Sequence, residues 1–191
     1  MFRTFKPGSL IDAIKYLLLI LIMIDIIHNY FTNETLSQVI KVIETKPWSL
    51  FKKMNPNQQN EHQFHFLQEY REDKDLDFVK KFGQIILSPY LKIKKIKSVS
   101  IQRMRTNLFI KTLPYNHVGG FHVDRQVTNE RDFTLLIYLE DSNGATEFKY
   151  QSKKIISEKN KAIIFPTSLE HQTIFQTDKL FRYNINVNFR V

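Results

Sequence analysis

The sequence predicts an α+β fold, with a helical front half and a strand-rich back half that closes as a jelly roll or barrel. Two stretches before Pro89 carry apolar residues at helical spacing, and a succession of short strand candidates separated by turn residues begins at Ser98. No repeat or low-complexity block interrupts the 191 residues, a length suited to one domain with a small appended region. Apolar residues at 42% and 16 Phe with 8 Tyr supply the material for a packed core.

Taking the elements in order, Tyr16-Leu-Leu-Leu-Ile-Leu-Ile-Met-Ile24 is the most apolar run. As a helix it would span only about 14 Å of a hydrocarbon core about 30 Å thick, and Lys15 and Asp25 close its ends. Arg3 and Lys6 precede it as in a signal peptide, but Asp25-Ile-Ile-His-Asn-Tyr30 offers no small-residue cleavage site. A buried helix or strand is expected, with no membrane span.

Leu36, Val39, Ile40 and Ile43 then predict a helix over 33–44, with Thr32 as its cap and Phe31 stapled against Leu36. The polar stretch from Lys52 to Glu72 reads as a long loop with at most one strand, a candidate lid. A second helix is expected over 74–87, burying Phe78, Val79, Phe82, Ile85 and Ile86 and ending before Pro89. Its positive end is matched by Asp73, Asp75 and Asp77. Strands are expected at 98–102, 107–113, 120–124, 133–139, 146–150, 153–157, 162–165, 171–175 and 180–189. Turns at Asp141-Ser-Asn-Gly144 and Lys159-Asn-Lys161 separate some of them.

The chain has no cysteine, which excludes disulfides, thiolate zinc sites and cysteine nucleophiles and fits a reducing cytoplasm. Any metal is therefore held by nitrogen and oxygen. The net charge of +9 favours acidic partners. Lys92, Lys94, Lys95, Lys97, Arg103 and Arg105 follow one another without an acidic residue between them. They would form either a phosphate-binding stripe or, by preference, a solvated edge strand protected by its lysines.

In a strand, residues two apart face the same way, so His122-Val-Asp124 can present an imidazole and a carboxylate to one metal. Chance gives about 0.3 such triplets in a chain of this make-up, so context must support it. His171 after Ala162-Ile-Ile-Phe-Pro166 is that support, since two histidines and one carboxylate make a facial set leaving three iron positions open. Eleven residues on, Arg182 opens a last strand with Phe181, Tyr183, Ile185, Val187 and Phe189 on one face. Arg182, Asn184, Asn186, Asn188 and Arg190 form the other, which can line a polar pocket.

Gly120-Phe-His-Val-Asp124, Phe133-Thr-Leu-Leu-Ile-Tyr-Leu139, Asn143-Gly-Ala-Thr-Glu-Phe148, Ala162-Ile-Ile-Phe-Pro166 with His171, and Arg182-Tyr-Asn-Ile-Asn186 follow in order. In this order they resemble the 2-oxoglutarate-Fe(II) oxygenase superfamily, prolyl 4-hydroxylase-like branch. The match covers about half the chain, from Ser98 onward. Met23-Ile-Asp25 through Phe31 also resembles the lead-in strand of small bacterial and viral members.

The resemblance implies a double-stranded β-helix (jelly roll) over 98–191, with a mainly helical support region over 1–97 packed on its major sheet, as one domain. It implies iron at His122, Asp124 and His171, with Arg182 on the far carboxylate of the co-substrate 2-oxoglutarate and O2 at the remaining position. Tyr138 and Tyr115 are candidates for a second bond to that carboxylate, with Asn186 beside it, and ascorbate is a candidate reductant. The implied reaction is hydroxylation of a C–H bond, with a peptide or protein side chain favoured as second substrate. A nucleic-acid or nucleotide substrate reached through the Lys92–Arg105 stretch, or a non-catalytic binding module on the same roll, are the alternatives. One departure is Gly144-Ala145-Thr146 where the family reads Gly-Gly-Thr.

Other candidates get plainer readings. His28, His62, His65 and His117 are expected to be non-ligands, with His62 and His65 at the surface. Gly119-Gly120 lacks the lysine and helix of a phosphate loop and reads as a flexible approach to the site. Trp48 and Phe51 are expected to pack against the first helix rather than form a substrate platform.

Overall fold

The computed structural model of the chain describes residues 24–51, 65–70, 72–111, 118–124 and 131–191. Residues 16–23 of the apolar run, most of the candidate lid, His62, His117 and Tyr115 lie outside the described residues. The elements are β1 (Asp25–Ile27), α1 (Asn33–Glu44), β2 (Ser49–Phe51), β3 (His65–Tyr70), α2 (Glu72–Lys94), β4 (Ser100–Ile110) and β5 (Asp132–Tyr138). They continue with β6 (Ala145–Phe148), β7 (Lys153–Ile156), β8 (Lys161–Pro166), β9 (His171–Ile174) and β10 (Phe181–Arg190). No helix among the described residues is long and apolar enough to cross a membrane.

The strands form a seven-stranded sheet, β1-β8-β5-β10-β4-β3-β2, facing a three-stranded sheet, β7-β6-β9. All pairings between them are antiparallel. Single bridges from Val118 to Ile174 and from His122 to His171 lay residues 118–122 along the free edge of β9. This is the jelly-roll architecture expected from the sequence, with both helices on the outside of the large sheet.

Period-two alternation divides the core. Leu135, Ile137, Ala162, Ile164, Ile185, Val187 and Phe189 face the helices and join Leu36, Val39, Ile43, Val79, Phe82 and Ile86. Leu136, Tyr138, Ile163 and Phe165 point the other way and meet Phe148 and Ile155 of the small sheet. The last strand follows its expected faces, except that Phe181 is exposed.

α1 spans its expected residues, and Thr32 accepts a hydrogen bond from Thr35 N at 3.2 Å as its cap. Phe31 and Leu36 are both buried in the same cluster, as a staple requires. α2 departs from expectation, running seven residues past Leu87 with Pro89 inside it. Proline removes one helical hydrogen bond, but Tyr90 and Ile86 are buried beyond and before it, and the Tyr30 hydroxyl donates to the Ile86 carbonyl at 2.9 Å. Burial of this turn outweighs the break. Ile85, expected inside, is exposed.

The strands at 98–102 and 107–113 are one element, β4, paired on both sides by β10 and β3. The 120–124 segment makes only the His122 bridge. Trp48 packs on the core beside Tyr183, with ring centroids 5.9 Å apart, as expected. Phe51 does not, and stands at the cavity wall instead.

Candidate active site

A cavity of about 280 Å³ opens between the two sheets. The inner face of the large sheet builds one wall, and the register sets its rows: Arg182 lies opposite Phe109, Asn184 opposite Asn107, Asn186 opposite Arg105 and Asn188 opposite Arg103. Polar residues at every second position of β10 and β4 therefore meet inside the roll.

His122, Asp124 and His171 converge there, each offering one ligand atom within 4.8 Å of the others. The two histidines are fixed across strands, since His122 N donates to His171 O and His171 N to His122 O, both at 3.0 Å. Their rings are fixed as well. Nδ1 of His122 lies 3.0 Å from the Gly120 carbonyl, and Nδ1 of His171 lies 2.9 Å from the Leu169 carbonyl. A carbonyl only accepts, so Nδ1 carries the proton in both rings and Nε2 keeps its lone pair for a metal. Gly120 adopts a φ of 76°, a conformation suited to glycine.

Asp124 is held by donors from three strands. Its Oδ2 accepts from Asn186 Nδ2 at 2.9 Å, Asn188 Nδ2 at 3.3 Å and Thr134 Oγ1 at 3.3 Å, while Oδ1 faces Arg103 Nη2 at 3.1 Å. Burial by itself raises the carboxyl pKa, but His171, the Arg103 guanidinium and the Asn186 amide together hold it well below the usual carboxylate range. His171 is shifted down, mainly by burial. An ionised Asp124 carboxylate and a His171 shifted toward its neutral form suit a divalent metal.

Arg182 is completely buried. Its Nε donates to Gln176 Oε1 at 3.3 Å, and Nη2 donates to Thr173 Oγ1 at 3.0 Å and to the Ile174 carbonyl at 3.2 Å. The guanidinium carbon lies 4.6 Å from the centre of the Phe109 ring. Nη1 has no hydrogen-bond partner among the described residues. Burial brings the pKa down to about 10, so the group remains a cation at neutral pH. An added Cβ at Gly144 would meet Arg182 Nε at 2.8 Å and the Ile174 carbonyl at 3.1 Å, so this glycine is required by the close approach. The turn therefore needs glycine at 144, while position 145 accommodates a buried alanine.

The remaining expected site residues fall out differently. The Tyr138 hydroxyl donates to Thr146 Oγ1 at 2.8 Å rather than reaching Arg182, and Thr146 carries the polar contact to the cavity wall. Burial raises the Tyr138 pKa to about 12, so it stays a donor. Asn186, expected beside the co-substrate, has its amide on Asp124.

The basic stretch is neither a continuous stripe nor an edge. Lys92 and Lys94 end α2, Lys94 pairs with Asp25 at 2.9 Å, and Lys95 and Lys97 are exposed beyond it. Arg103 and Arg105 turn inward from β4, an interior strand. His65, expected at the surface, is 6% exposed and stacks on Phe109 at 5.7 Å between ring centroids. Thr173 and Gln176 carried no motif in the sequence, and Thr134 and Asn188, though within the quoted strands, carried no sign that they reach Asp124. The i, i+2 run Arg103, Arg105, Asn107, Phe109 was the one available signal, and reading β4 as two strands concealed it.

No protein-family model and no curated protein matches the chain. Solved structures with the same fold do. An oxidoreductase of the 2OG-Fe(II) oxygenase family from Burkholderia pseudomallei superposes with a TM-score of 0.61 at 10% identity, covering 99% of this chain and 93% of that one. The viral collagen prolyl hydroxylase of Paramecium Bursaria Chlorella virus-1, in its 2-oxoglutarate complex, gives 0.57 at 15%, covering 88% and 96%. A prolyl hydroxylase from Trichoplax adhaerens in complex with a peptide fragment of hypoxia inducible factor gives 0.60 at 13%, covering 96% and 94%. At these identities the likeness is one of fold. This chain has the fold of 2-oxoglutarate-Fe(II) oxygenases, prolyl hydroxylases among them.

Proposed function

We propose that this protein is an Fe(II)- and 2-oxoglutarate-dependent dioxygenase that hydroxylates a C–H bond of a peptide or protein side chain. The observation that carries the reading is the joint placement of His122, Asp124 and His171 within 4.8 Å, with the fully buried Arg182 cation in the same roll. Either feature alone has other uses. Together they provide a facial metal set and an anchor for a distal carboxylate.

The donor set fits Fe(II): two imidazole Nε2 atoms and one carboxylate oxygen, with no sulfur. When bound, the metal with 2-oxoglutarate and O2 supplies the oxidation, in which one oxygen atom enters succinate as the keto acid loses CO2 and the other enters the substrate C–H bond. The chain's own residues bind and orient. Asn186, Asn188, Thr134 and Arg103 fix the Asp124 carboxylate, and the backbone carbonyls of Gly120 and Leu169 fix the two imidazoles. Arg182 Nη1, with Thr173 beside it, would take the far carboxylate of the co-substrate. Phe109 and Leu136 give the cavity apolar wall beside these groups.

A peptide or protein substrate is supported by the neighbours, one a collagen prolyl hydroxylase and another a prolyl hydroxylase bound to a peptide. The test has two parts. Mn(II), a redox-silent substitute, should bind once per chain by calorimetry, and Asp124→Ala should weaken that binding sharply while the circular dichroism spectrum is retained. With Fe(II) and ascorbate, succinate release from 2-oxoglutarate should rise with one member of a panel of peptides, nucleic acids and free amino acids. Equal Mn(II) binding by wild type and Asp124→Ala would rule the metal assignment out.

A further inference from the structure

The cavity wall level with Asp124 carries more positive charge than the metal site needs. Alternation along β4 directs Arg103 and Arg105 inward, opposite Asn188 and Asn186, the two amides that hold Asp124. Arg182 lies opposite Phe109, so about 13 Å of strand separates its row from that of Arg105. A carboxylate anchored at Arg182 therefore lies four residues of strand away from this pair.

The pair's own counter-charges are few. Arg103 has its side chain 20% exposed, faces Asp124 Oδ1 at 3.1 Å, and keeps a buried Nε with no partner among the described residues. Arg105 donates to Glu69 Oε1 through both Nε, at 2.8 Å, and Nη2, at 2.5 Å, and the Glu69 side chain is 30% exposed. His65, four residues before Glu69 on β3 and stacked on Phe109, has a buried Nδ1 with no partner among the described residues. With a divalent cation on the triad, the Asp124 charge would be shared with the metal, and among the described residues the two guanidiniums would keep only Glu69. A cation excess on a largely desolvated wall is costly unless an anion completes it. The planar fork of arginine matches a carboxylate bidentately.

We infer that Arg103 and Arg105 hold a carboxylate of the second substrate next to the carbon to be hydroxylated. The inference rests on the oxygenase reading above. The carboxylate can come from an acidic side chain of a peptide or from the α-carboxylate of a free amino acid.

The experiment uses the full chain loaded with Mn(II) and 2-oxoglutarate, each titrated in first. The calorimetric probes are a blocked hexapeptide alternating Pro and Glu, its Pro-Gln counterpart, free proline, proline amide and a single-stranded oligodeoxynucleotide. The expected result is that one charged probe binds at least tenfold more tightly than its neutral counterpart, and which pair discriminates identifies the source of the carboxylate. Arg105→Gln, which touches no metal ligand, should abolish the discrimination, and Arg105→Lys should restore part of it. Glu69→Gln should tighten binding of the charged probe, because it removes the carboxylate that competes for Arg105. A merely structural Arg105–Glu69 pair would give the opposite sign. The inference is overturned if neither pair discriminates, if Arg105→Gln binds the charged probe as well as wild type, if Glu69→Gln weakens binding, or if the oligonucleotide binds more tightly than every carboxylate through Arg105. Failure of the preliminary Mn(II) and 2-oxoglutarate titrations would instead count against the oxygenase reading itself.

Discussion

Asp124 shows how much support one metal ligand receives: four side chains from β4, β5 and β10 reach its two oxygens. Asn186 makes the shortest of the three contacts to Oδ2, at 2.9 Å. Removing a hydrogen bond of this kind loosens the ligand without deleting it, so Asn186→Leu should weaken Mn(II) binding by about 10–100-fold in a calorimetric titration. Gly144 acts on the other half of the site. In Gly144→Ala the new methyl would meet the Arg182 guanidinium and a backbone carbonyl that cannot retreat, so the apparent KM for 2-oxoglutarate should rise while Mn(II) affinity stays as it was. Steady-state kinetics beside metal titration separates the two effects. At this scale the sequence was informative on the polar face of β10, which follows strand alternation, and on the His122-x-Asp124 spacing, although that segment makes a single bridge rather than a strand. It was silent on Thr134 and Arg103, which reach Asp124 only through a register between strands far apart in the chain.

α1 was legible because its cap, staple and apolar spacing lie within a dozen residues. α2 was not, because its end depends on tertiary burial. The helix continues through Pro89 and stops at Lys95, whose φ of 55° closes the last turn, with Ile96 N donating to the Leu91 carbonyl at 3.0 Å. Glycine usually marks that position, and a lysine there gives no signal. The turn before β8 shows the same dependence more sharply. Asn160, with a φ of 64°, accepts from Phe31 N and donates to the Phe31 carbonyl through its side chain, both at 2.8 Å. It thereby ties the lead into α1 to the large sheet. Asn160→Gly keeps the backbone conformation but loses both bonds, and should cost about 2–3 kcal/mol in chemical denaturation. Asn160→Ala should cost more, since it also places a Cβ in the left-handed region. Equal stability of Asn160→Gly and the wild type would show that the side-chain bonds contribute little.

Across the whole molecule, the two sheets enclose a polar interior that the helices outside never touch, so folding must bury groups that prefer water. His65 is the clearest case. Burial, with Arg105 and His122 nearby, lowers its pKa from the ordinary 6.5 to about 4. Between these values the unfolded chain binds a proton that the folded chain does not. Stability from this group is therefore complete above about pH 6.5 and declines as pH falls toward 4, by up to about 3 kcal/mol. His65→Gln should flatten the denaturation midpoint across that window, and an unchanged slope would assign the acid sensitivity elsewhere. The architecture itself was readable from the succession of short strands, whereas the inward aim of β4 emerged only once β3 and β10 were placed on its two sides. The central claim is that one roll holds both a metal and the carboxylate of 2-oxoglutarate, and the binding of 2-oxoglutarate measured by calorimetry tests it most directly. The expected result is one 2-oxoglutarate per chain only when Mn(II) is present, with Arg182→Leu weakening that binding by about one to three orders of magnitude, for about 2–4 kcal/mol of lost charge-assisted bonding, at unchanged Mn(II) affinity. Binding that ignores Mn(II), or that Arg182→Leu leaves intact, would contradict it.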